Sequence, residues 1–183
     1  TTPAQKVILP DLAAGCSMAD MANYEQVTQC WEVLTELGIA DQTVPVTYMN
    51  SSAAIKAFTG EYGGTVCTSS NAQTTLEWAF HSGERVLFLP DQHLGRNTAV
   101  LKMGLALEEC VVWNPWKPNG GLTDDEILKA KVILWRGHCS VHGRFSLENV
   151  VEFRNRIPDI KISMPSGFKI YIDSKFPFTN YFA

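Results

Sequence analysis

The chain has 183 residues, of which 45% are hydrophobic and 19% are charged. This composition excludes general disorder, because disordered chains are rich in charge and poor in apolar residues. Its formal net charge of -4 argues against a broad electrostatic surface for nucleic acid or an anionic membrane, so we expect neither as a partner. No apolar run approaches the roughly 18 residues that a membrane-spanning helix needs, and the first residues do not resemble a signal peptide.

Runs typical of strands alternate with runs typical of helices almost from end to end. The predicted strands are, in chain order, 6–10, 44–49, 65–68, 85–89, 111–113 and 132–135. The predicted helices are 18–37 with Ser17 as its cap, a piece after Ser51 or Ser52, 71–81, 97–107, one opened by the capping box at Thr123, and 146–156. Repeated alternation of this kind predicts an α/β fold, with a mostly parallel sheet and helices on both faces.

The cysteine count is odd, and the cysteines are scattered at positions 16, 30, 67, 110 and 139. Without an export signal we expect reduced thiols in a cytoplasmic protein, used as core filler or as ligands. Cys30 shares the apolar stripe of its predicted helix with Val27 and Leu34, so we interpret it as a core residue. Cys110 opens a predicted strand and is interpreted in the same way.

Three of the predicted strands run into polar loops that contain glycine, within the segments 7–16, 86–95 and 132–139. In open α/β sheets, ligands bind outside the carboxyl ends of the strands. Cys16, Cys67 and Cys139 lie at or just past such ends. These three thiols are therefore the cysteines to consider at a functional site.

Cys16 and Cys139 form the sharpest candidate pair. Iron and zinc favour thiolates, and three thiolates on a four-iron cluster leave one iron free for substrate. The alternative is two buried thiols in glycine-rich turns, because a separation of 123 positions defines no local motif. Cys139 and His142 have the spacing of half a zinc site, but a second half is missing.

Polar residues after other strands offer weaker candidates. Tyr48 and Asn50 could bind carboxylates through hydrogen bonds, although composition alone favours an ordinary turn there. The segment Thr68–Asn71 could form an anion site or simply cap the helix that follows, and the two are compatible. A catalytic pair of Asp91 and His93 is conceivable. Neither a G-x-S-x-G elbow nor the usual nucleotide-binding fingerprints occur.

Five strings of residues, taken together, resemble the quinolinate synthase family of bacteria and plastids. They are LPDLAAGCSMA at 9–19, VTYMNSS at 46–52, VCTSSNA at 66–72, FLPDQHLG at 88–95 and GHCSVH at 137–142. Their order and spacing also agree with the family, from about residue 7 to about residue 162.

The resemblance implies a fold and a reaction. Members of the family have three similar α/β/α domains, each a three-layer unit with a short parallel sheet, related by pseudo-threefold symmetry. A [4Fe-4S] cluster lies where the domains meet, held by one cysteine from each. The enzyme condenses iminoaspartate with dihydroxyacetone phosphate to give quinolinate, the precursor of the NAD ring, and the free iron acts as a Lewis acid.

The resemblance also implies roles for residues and partners. Cys16 and Cys139 would be two cluster ligands, with His142 near the cluster and Cys67 beside the site but not a ligand. The substrate carboxylates would be lined by Tyr48, Asn50 and Ser69. Besides the two small-molecule substrates, we expect a homodimer or an aspartate-oxidising partner enzyme.

On the same resemblance we expect this chain to be a fragment of the three-domain architecture. Residues 1–20 would end the first domain, 21–142 would form the central one, 143–162 would start the third, and 163–183 are a divergent tail, either out of frame or genuinely different. The third cysteine ligand has no counterpart here, so we expect no useful rate of quinolinate synthesis. The alternative function is a non-catalytic α/β remnant that binds a dicarboxylate or a partner chain.

Overall fold

The computed structural model describes residues 15–140, the positions 144, 146 and 148, and the backbone of 160–163 and 169–172. Within these residues a five-stranded parallel sheet forms the centre of the fold. Its strands are β1 Thr43–Tyr48, β2 Thr65–Cys67, β3 Arg85–Leu89, β4 Cys110–Trp113 and β5 Val132–Trp135. They lie in the order β2-β1-β3-β5-β4. The helices are α1 Tyr24–Glu36, α2 Ala53–Glu61, α3 Ala72–Ser82, α4 Gln92–Asn97 and α5 Asp124–Lys129.

The sheet is covered on both faces, which confirms the predicted α/β class and its three-layer arrangement. One hydrophobic core joins α1, α2 and α5 to alternate residues of the central strands, among them Leu87 and Ile133. The other core joins α3 and the α4 region to the intervening residues, such as Val86 and Phe88. Because successive side chains of a strand point to opposite faces, continuous apolar strands such as β3 supply both cores.

The first helix begins later than predicted. The sequence pattern placed it from residue 18 with Ser17 as its cap, but α1 starts at Tyr24 after a short 3₁₀ turn at Ala19–Met21. The cap is Asn23, whose Oδ1 accepts a hydrogen bond from the Gln26 amide at 2.8 Å. Ala22 and Asn23 have extended backbone angles, and the Met21 carbonyl accepts a hydrogen bond from the Trp135 indole, so the turn does not continue into α1.

The predicted helix 97–107 is also misplaced. The structure has α4 at Gln92–Asn97, followed by a π-helical turn at Thr98–Lys102. Asp91 accepts hydrogen bonds from the first amides of this helix, so helix formation starts directly after β3. Gly104 then adopts a positive φ of 76°, which ends the helical segment.

Other local predictions are confirmed. Ser52 caps α2 by accepting from the Ile55 amide, and Thr123 and Glu126 form the expected capping box at the start of α5. Gly38 has a positive φ of 71° just beyond α1, as a glycine after a helix is expected to have.

The ends of the chain are only partly described. The predicted strand at 6–10 lies outside the described residues, as does most of the predicted helix at 146–156. In the tail, Lys169–Ile172 forms a strand that pairs antiparallel with Ile160–Ser163. The domain boundaries at residues 20, 142 and 162 stay predictions. In the part of the chain that the structure describes, no helix is long and apolar enough to cross a membrane.

Candidate functional site

The carboxyl ends of four neighbouring strands bring the predicted site residues to one edge of the sheet. Hydrogen bonds continue past the strands there, from the Met49 amide to the Cys67 carbonyl at 2.8 Å and from the Gln92 amide to the Gly137 carbonyl at 3.0 Å. The connections after β1 and β3 leave toward opposite faces of the sheet, since α2 packs in one core and the α4 region in the other. Such a divergence opens a crevice at the carboxyl edge, where α/β proteins bind ligands.

The loop that carries Cys16 is anchored to the end of β5. Met18 is buried at 1% exposure, and the indole Nε1 of Trp135 donates a hydrogen bond of 2.6 Å to the Met21 carbonyl. The Ala19 amide closes the turn onto the Cys16 carbonyl at 2.8 Å. The loop of Cys16 is thus held beside β5, although the two are far apart in sequence. The Cys16 side chain is exposed.

The loop that carries Cys139 meets the Cys16 loop. The side-chain oxygens of Ser17 and Ser140, the residues that follow the two cysteines, lie 3.1 Å apart. A second link runs from the His138 amide to the Met21 sulfur at 3.4 Å. The two loops therefore converge at one place, as the hypothesis of a shared site requires.

Gly137 allows the Cys139 loop to approach β3 closely. A Cβ atom at this position would collide with the carbonyl oxygen of Pro90, so a side chain would force the two strand ends apart. A parallel bridge between Asp91 and Gly137 uses this proximity. The close approach of this loop to β3 therefore requires a glycine two residues before Cys139.

Tyr48 lies at the centre of the edge, half-buried. Burial raises the pKa of its phenol, and the negative charge of Asp91 raises it further, whereas a hydrogen-bonding interaction with Ser69 lowers it. The thiols of Cys139 and Cys67 add smaller increases to the same pKa. With its pKa above the ordinary value of 10.0, the phenol is a hydrogen-bond donor at neutral pH.

Ser69 and Asn50 are both exposed at this edge. The Ser69 side chain interacts with the Tyr48 phenol. Two of the three residues predicted to bind substrate carboxylates are therefore neighbours. Asn50 follows β1 by two positions, but among the described residues no hydrogen bond joins it to Tyr48 or Ser69. Its assignment to the pocket stays a prediction.

The loop before α3 does not cap that helix through a side chain. The Oδ1 atom of Asn71 turns back and accepts from the amide and hydroxyl of Thr68, at 2.6 and 2.9 Å. Among the described residues, no side chain accepts a hydrogen bond from the first amides of α3. The interpretation of this segment as ordinary side-chain capping is therefore wrong, and the free amides at the start of the helix favour an anion.

Asp91 and His93 do not form a side-chain pair. The Asp91 carboxylate accepts from the His93 backbone amide at 2.9 Å, while the His93 ring lies 3.2 Å from the Arg96 guanidinium. The suggested catalytic pair is thus a helix cap and an exposed histidine. Sequence reasoning missed this role, although an Asp directly before a helix is a capping signal.

The remaining cysteines behave as different kinds of thiol. Cys30 is fully buried in the core, as predicted, and burial raises its pKa far above the ordinary value. Burial also raises the pKa of Cys67 to about 12, so this thiol is neutral at neutral pH. Cys110 is only half-buried, so its interpretation as buried filler holds in part.

The donor set at the edge fits a metal centre that prefers sulfur. Cys16 and Cys139 are free thiols outside the core, on loops held in place by Met21 and Trp135. Among the described residues no group of three or more His, Cys, Asp or Glu side chains is arranged to hold a metal ion. Two thiolates would therefore be a partial ligand set, and His142 lies outside the described residues.

A second concave region lies at the opposite, amino edge of the sheet. It is a cleft of about 540 Å³ whose lining includes Arg85, Lys129 and Lys131. Each of these cations has an acidic partner, and the Lys131 Nζ atom lies 2.7 Å from Glu109. None of the predicted site residues lines this cleft.

The fold and the site define an α/β protein whose candidate ligand-binding groups gather at the carboxyl edge of a parallel sheet. A family model described as "Quinolinate synthetase A protein" matches residues 1–166. The chain belongs to this family.

Curated relatives named quinolinate synthase share extensive identity with the chain. The protein of Streptomyces coelicolor is 69% identical over 162 residues, which cover 88% of this chain and 41% of that relative. The Nocardioides protein is 63% identical over 168 residues, covering 88% of this chain and 43% of its own, and the Bacillus subtilis protein is 51% identical over 162, covering 88% and 43%. The chain thus spans less than half the length of these relatives.

Proposed function

We propose that this chain forms part of a quinolinate synthase, which condenses iminoaspartate with dihydroxyacetone phosphate to give quinolinate for NAD biosynthesis. The observation that carries the proposal is the contact between Ser17 and Ser140 at 3.1 Å, because it joins the two cysteine loops. The names of relatives that are 51–69% identical support the same reaction. They make a non-catalytic remnant the weaker alternative.

Cys16 and Cys139 would hold two corners of a [4Fe-4S] cluster, and a third thiolate must come from another part of the protein. What supports this role is that both thiols are free and outside the core, on loops joined by the contact between Ser17 and Ser140. When bound, the cluster would supply a Lewis acid that polarises substrate oxygens.

The substrate carboxylates would lie between the ends of β1 and β2. Tyr48 is suited to donate a hydrogen bond there, since its raised pKa keeps the proton on the phenol. The Ser69 hydroxyl and the free amides of α3 offer further donors, and Asn50 would add an amide. A dicarboxylate such as iminoaspartate matches this set of donors, which carries no cationic side chain of its own.

The expected setting is the cytoplasm, where free thiols stay reduced. As the protein partner we propose a second copy of the protein, or an enzyme that oxidises aspartate and hands over iminoaspartate. Because iminoaspartate is a reactive imine, a short transfer path would favour its capture over its hydrolysis.

Binding of malate, a stable dicarboxylate, tests the pocket by calorimetry. We expect Tyr48→Phe and Ser69→Ala each to weaken binding by about 5- to 10-fold, the effect of losing one hydrogen bond to a charged group. Tyr62→Phe and Ser82→Ala are matched controls, because both residues end helices at the amino edge of the sheet. Equal affinity in the parent and the two pocket variants would refute the pocket.

Anaerobic reconstitution with iron and sulfide tests the ligands. We expect Cys16→Ser and Cys139→Ser to lower the iron and sulfide bound per chain, whereas Cys110→Ser should not. Cys110 is a matched control because it is half-buried like Cys139 but opens β4 at the other edge. Equal iron binding in all three variants would contradict the assignment.

A further inference from the structure

Asp91 is a buried carboxylate, with 6% of its surface exposed, directly after the central strand of the sheet. A buried charge is costly unless hydrogen bonds compensate it. The Oδ1 atom of Asp91 accepts from the backbone amides of His93 at 2.9 Å and Leu94 at 3.3 Å. One of the two carboxylate oxygens is thus hydrogen-bonded to the first turn of α4.

The backbone at Asp91 sets the position of the Cys139 loop. Asp91 forms a parallel bridge with Gly137, and the next amide, that of Gln92, donates to the Gly137 carbonyl at 3.0 Å. Since a Cβ at Gly137 would collide with Pro90, the loop has little freedom to slide along β3. Capping by the Asp91 side chain holds the same backbone segment in place.

The other neighbour of Asp91 is Tyr48. In the register of β1 and β3, Thr47 is opposite Leu89, so the residues that follow these two strands approach each other. The negative charge of Asp91 acts on the phenol and helps to raise its pKa. Within the part of the chain that the structure describes, no hydrogen bond ends on the Oδ2 atom of Asp91, so this half of the carboxylate is not committed elsewhere.

We infer that Asp91 is a positioning residue of the candidate site: it caps α4, holds the Cys139 loop against β3 and sets its negative charge beside the Tyr48 phenol. The inference rests on the proposed function, because the Cys139 loop and the Tyr48 phenol belong to one site only if the substrate pocket lies at this edge. It assigns a role to a residue that would itself touch neither substrate nor metal.

Two variants separate the cap from the charge. Asn is as good a helix cap as Asp, so Asp91→Asn should keep the stability of the parent and the slow exchange of the Gln92 amide with solvent. Asp91→Ala should lose the cap, lower the melting temperature and speed that exchange by about 5-fold or more, the effect of losing a typical cap. If Asp91→Asn were destabilised as much as Asp91→Ala, the capping role would fail.

The charge is read out at Tyr48, without any ligand. The ¹³Cζ signal of Tyr48, assigned through Tyr48→Phe, is followed from pH 8 to 12 in the parent chain and in Asp91→Asn. We expect the phenolate fraction of Tyr48 at pH 10 to be about threefold higher in Asp91→Asn, the effect of removing a neighbouring charge. Tyr24 and Tyr62 serve as internal references, and the contributions of the Cys67 and Cys139 thiols are common to both chains.

An unchanged Tyr48 titration in Asp91→Asn would overturn the inference even if malate binds as proposed. Conversely, a response of Tyr48 in a chain that binds no malate would sustain the inference and refute the proposed pocket. The two proposals therefore fail separately.

Discussion

Ser17 and Ser140 are 123 positions apart in sequence, yet their hydroxyl oxygens lie 3.1 Å from each other. Each serine follows a cysteine, so the contact fixes the relative position of two thiol-bearing loops. The Trp135 indole donates a hydrogen bond of 2.6 Å to the Met21 carbonyl, which links the same two loops a second time. Convergence is thus built from several contacts rather than from one exposed pair.

Disulfide trapping tests this convergence. In a chain with Cys16→Ser and Cys139→Ser, we expect the Ser17→Cys/Ser140→Cys pair to form a disulfide readily under mild oxidation, because disulfides require Cα atoms within about 7 Å. Peptide mapping without reductant reports the bond. Ser17→Cys combined with Ser82→Cys, at the far end of α3, should not react; equal yields for the two pairs would show that the loops do not converge.

Two glycines should respond to alanine in opposite directions. A Cβ at Gly95 would lie 2.6 Å from the Leu134 Cδ2 atom and 2.7 Å from the Phe88 Cδ1 atom, so Gly95→Ala should destabilise the fold by about 1–3 kcal/mol through overpacking. Gly60, on the exposed side of α2, has no atom within 4 Å of such a Cβ, and Gly60→Ala should stabilise by about 0.5–1 kcal/mol. Urea unfolding measures both changes. Similar stability of the two variants would mean that α4 does not pack closely on the sheet.

Stability should fall at alkaline pH because the unfolded chain ionises a thiol that stays protonated in the folded chain. The pKa of Cys67 is raised from 9.0 to about 12, so its contribution is complete below pH 9 and is lost as the pH rises toward 12. Between pH 9 and 10.5 this amounts to at most about 2 kcal/mol. The difference in free energy of unfolding between these pH values should shrink in Cys67→Ala; a difference of the same size would assign the loss to other groups.

The sequence was sufficient to predict the parallel α/β class, because apolar strand runs alternate with capped helices. It also placed Tyr48, Ser69, Cys16 and Cys139 at strand ends, and therefore at one edge. It could not predict the late start of α1, because the Met21 carbonyl just before Asn23 accepts a hydrogen bond from Trp135, which is distant in sequence.

The role of Asp91 was hidden for a different reason. An Asp two residues before a His is compatible with a catalytic pair, and only the path of the backbone shows that the carboxylate accepts from amides. Likewise, the contact between Ser17 and Ser140 joins residues too far apart in sequence for any local pattern to reveal. Both features depend on how the strand ends are aligned, which is a property of the sheet as a whole.

The most direct test of the central claim is a titration of the ¹⁵N-labelled chain with malate, followed by amide chemical shifts. We predict that the largest changes map to residues 48–50, 68–71, 91–93 and 137–140, the carboxyl ends of four adjacent strands. Changes gathered instead around the cleft lined by Arg85, Lys129 and Lys131, or no changes at saturating malate, would contradict a dicarboxylate site at this edge of the sheet.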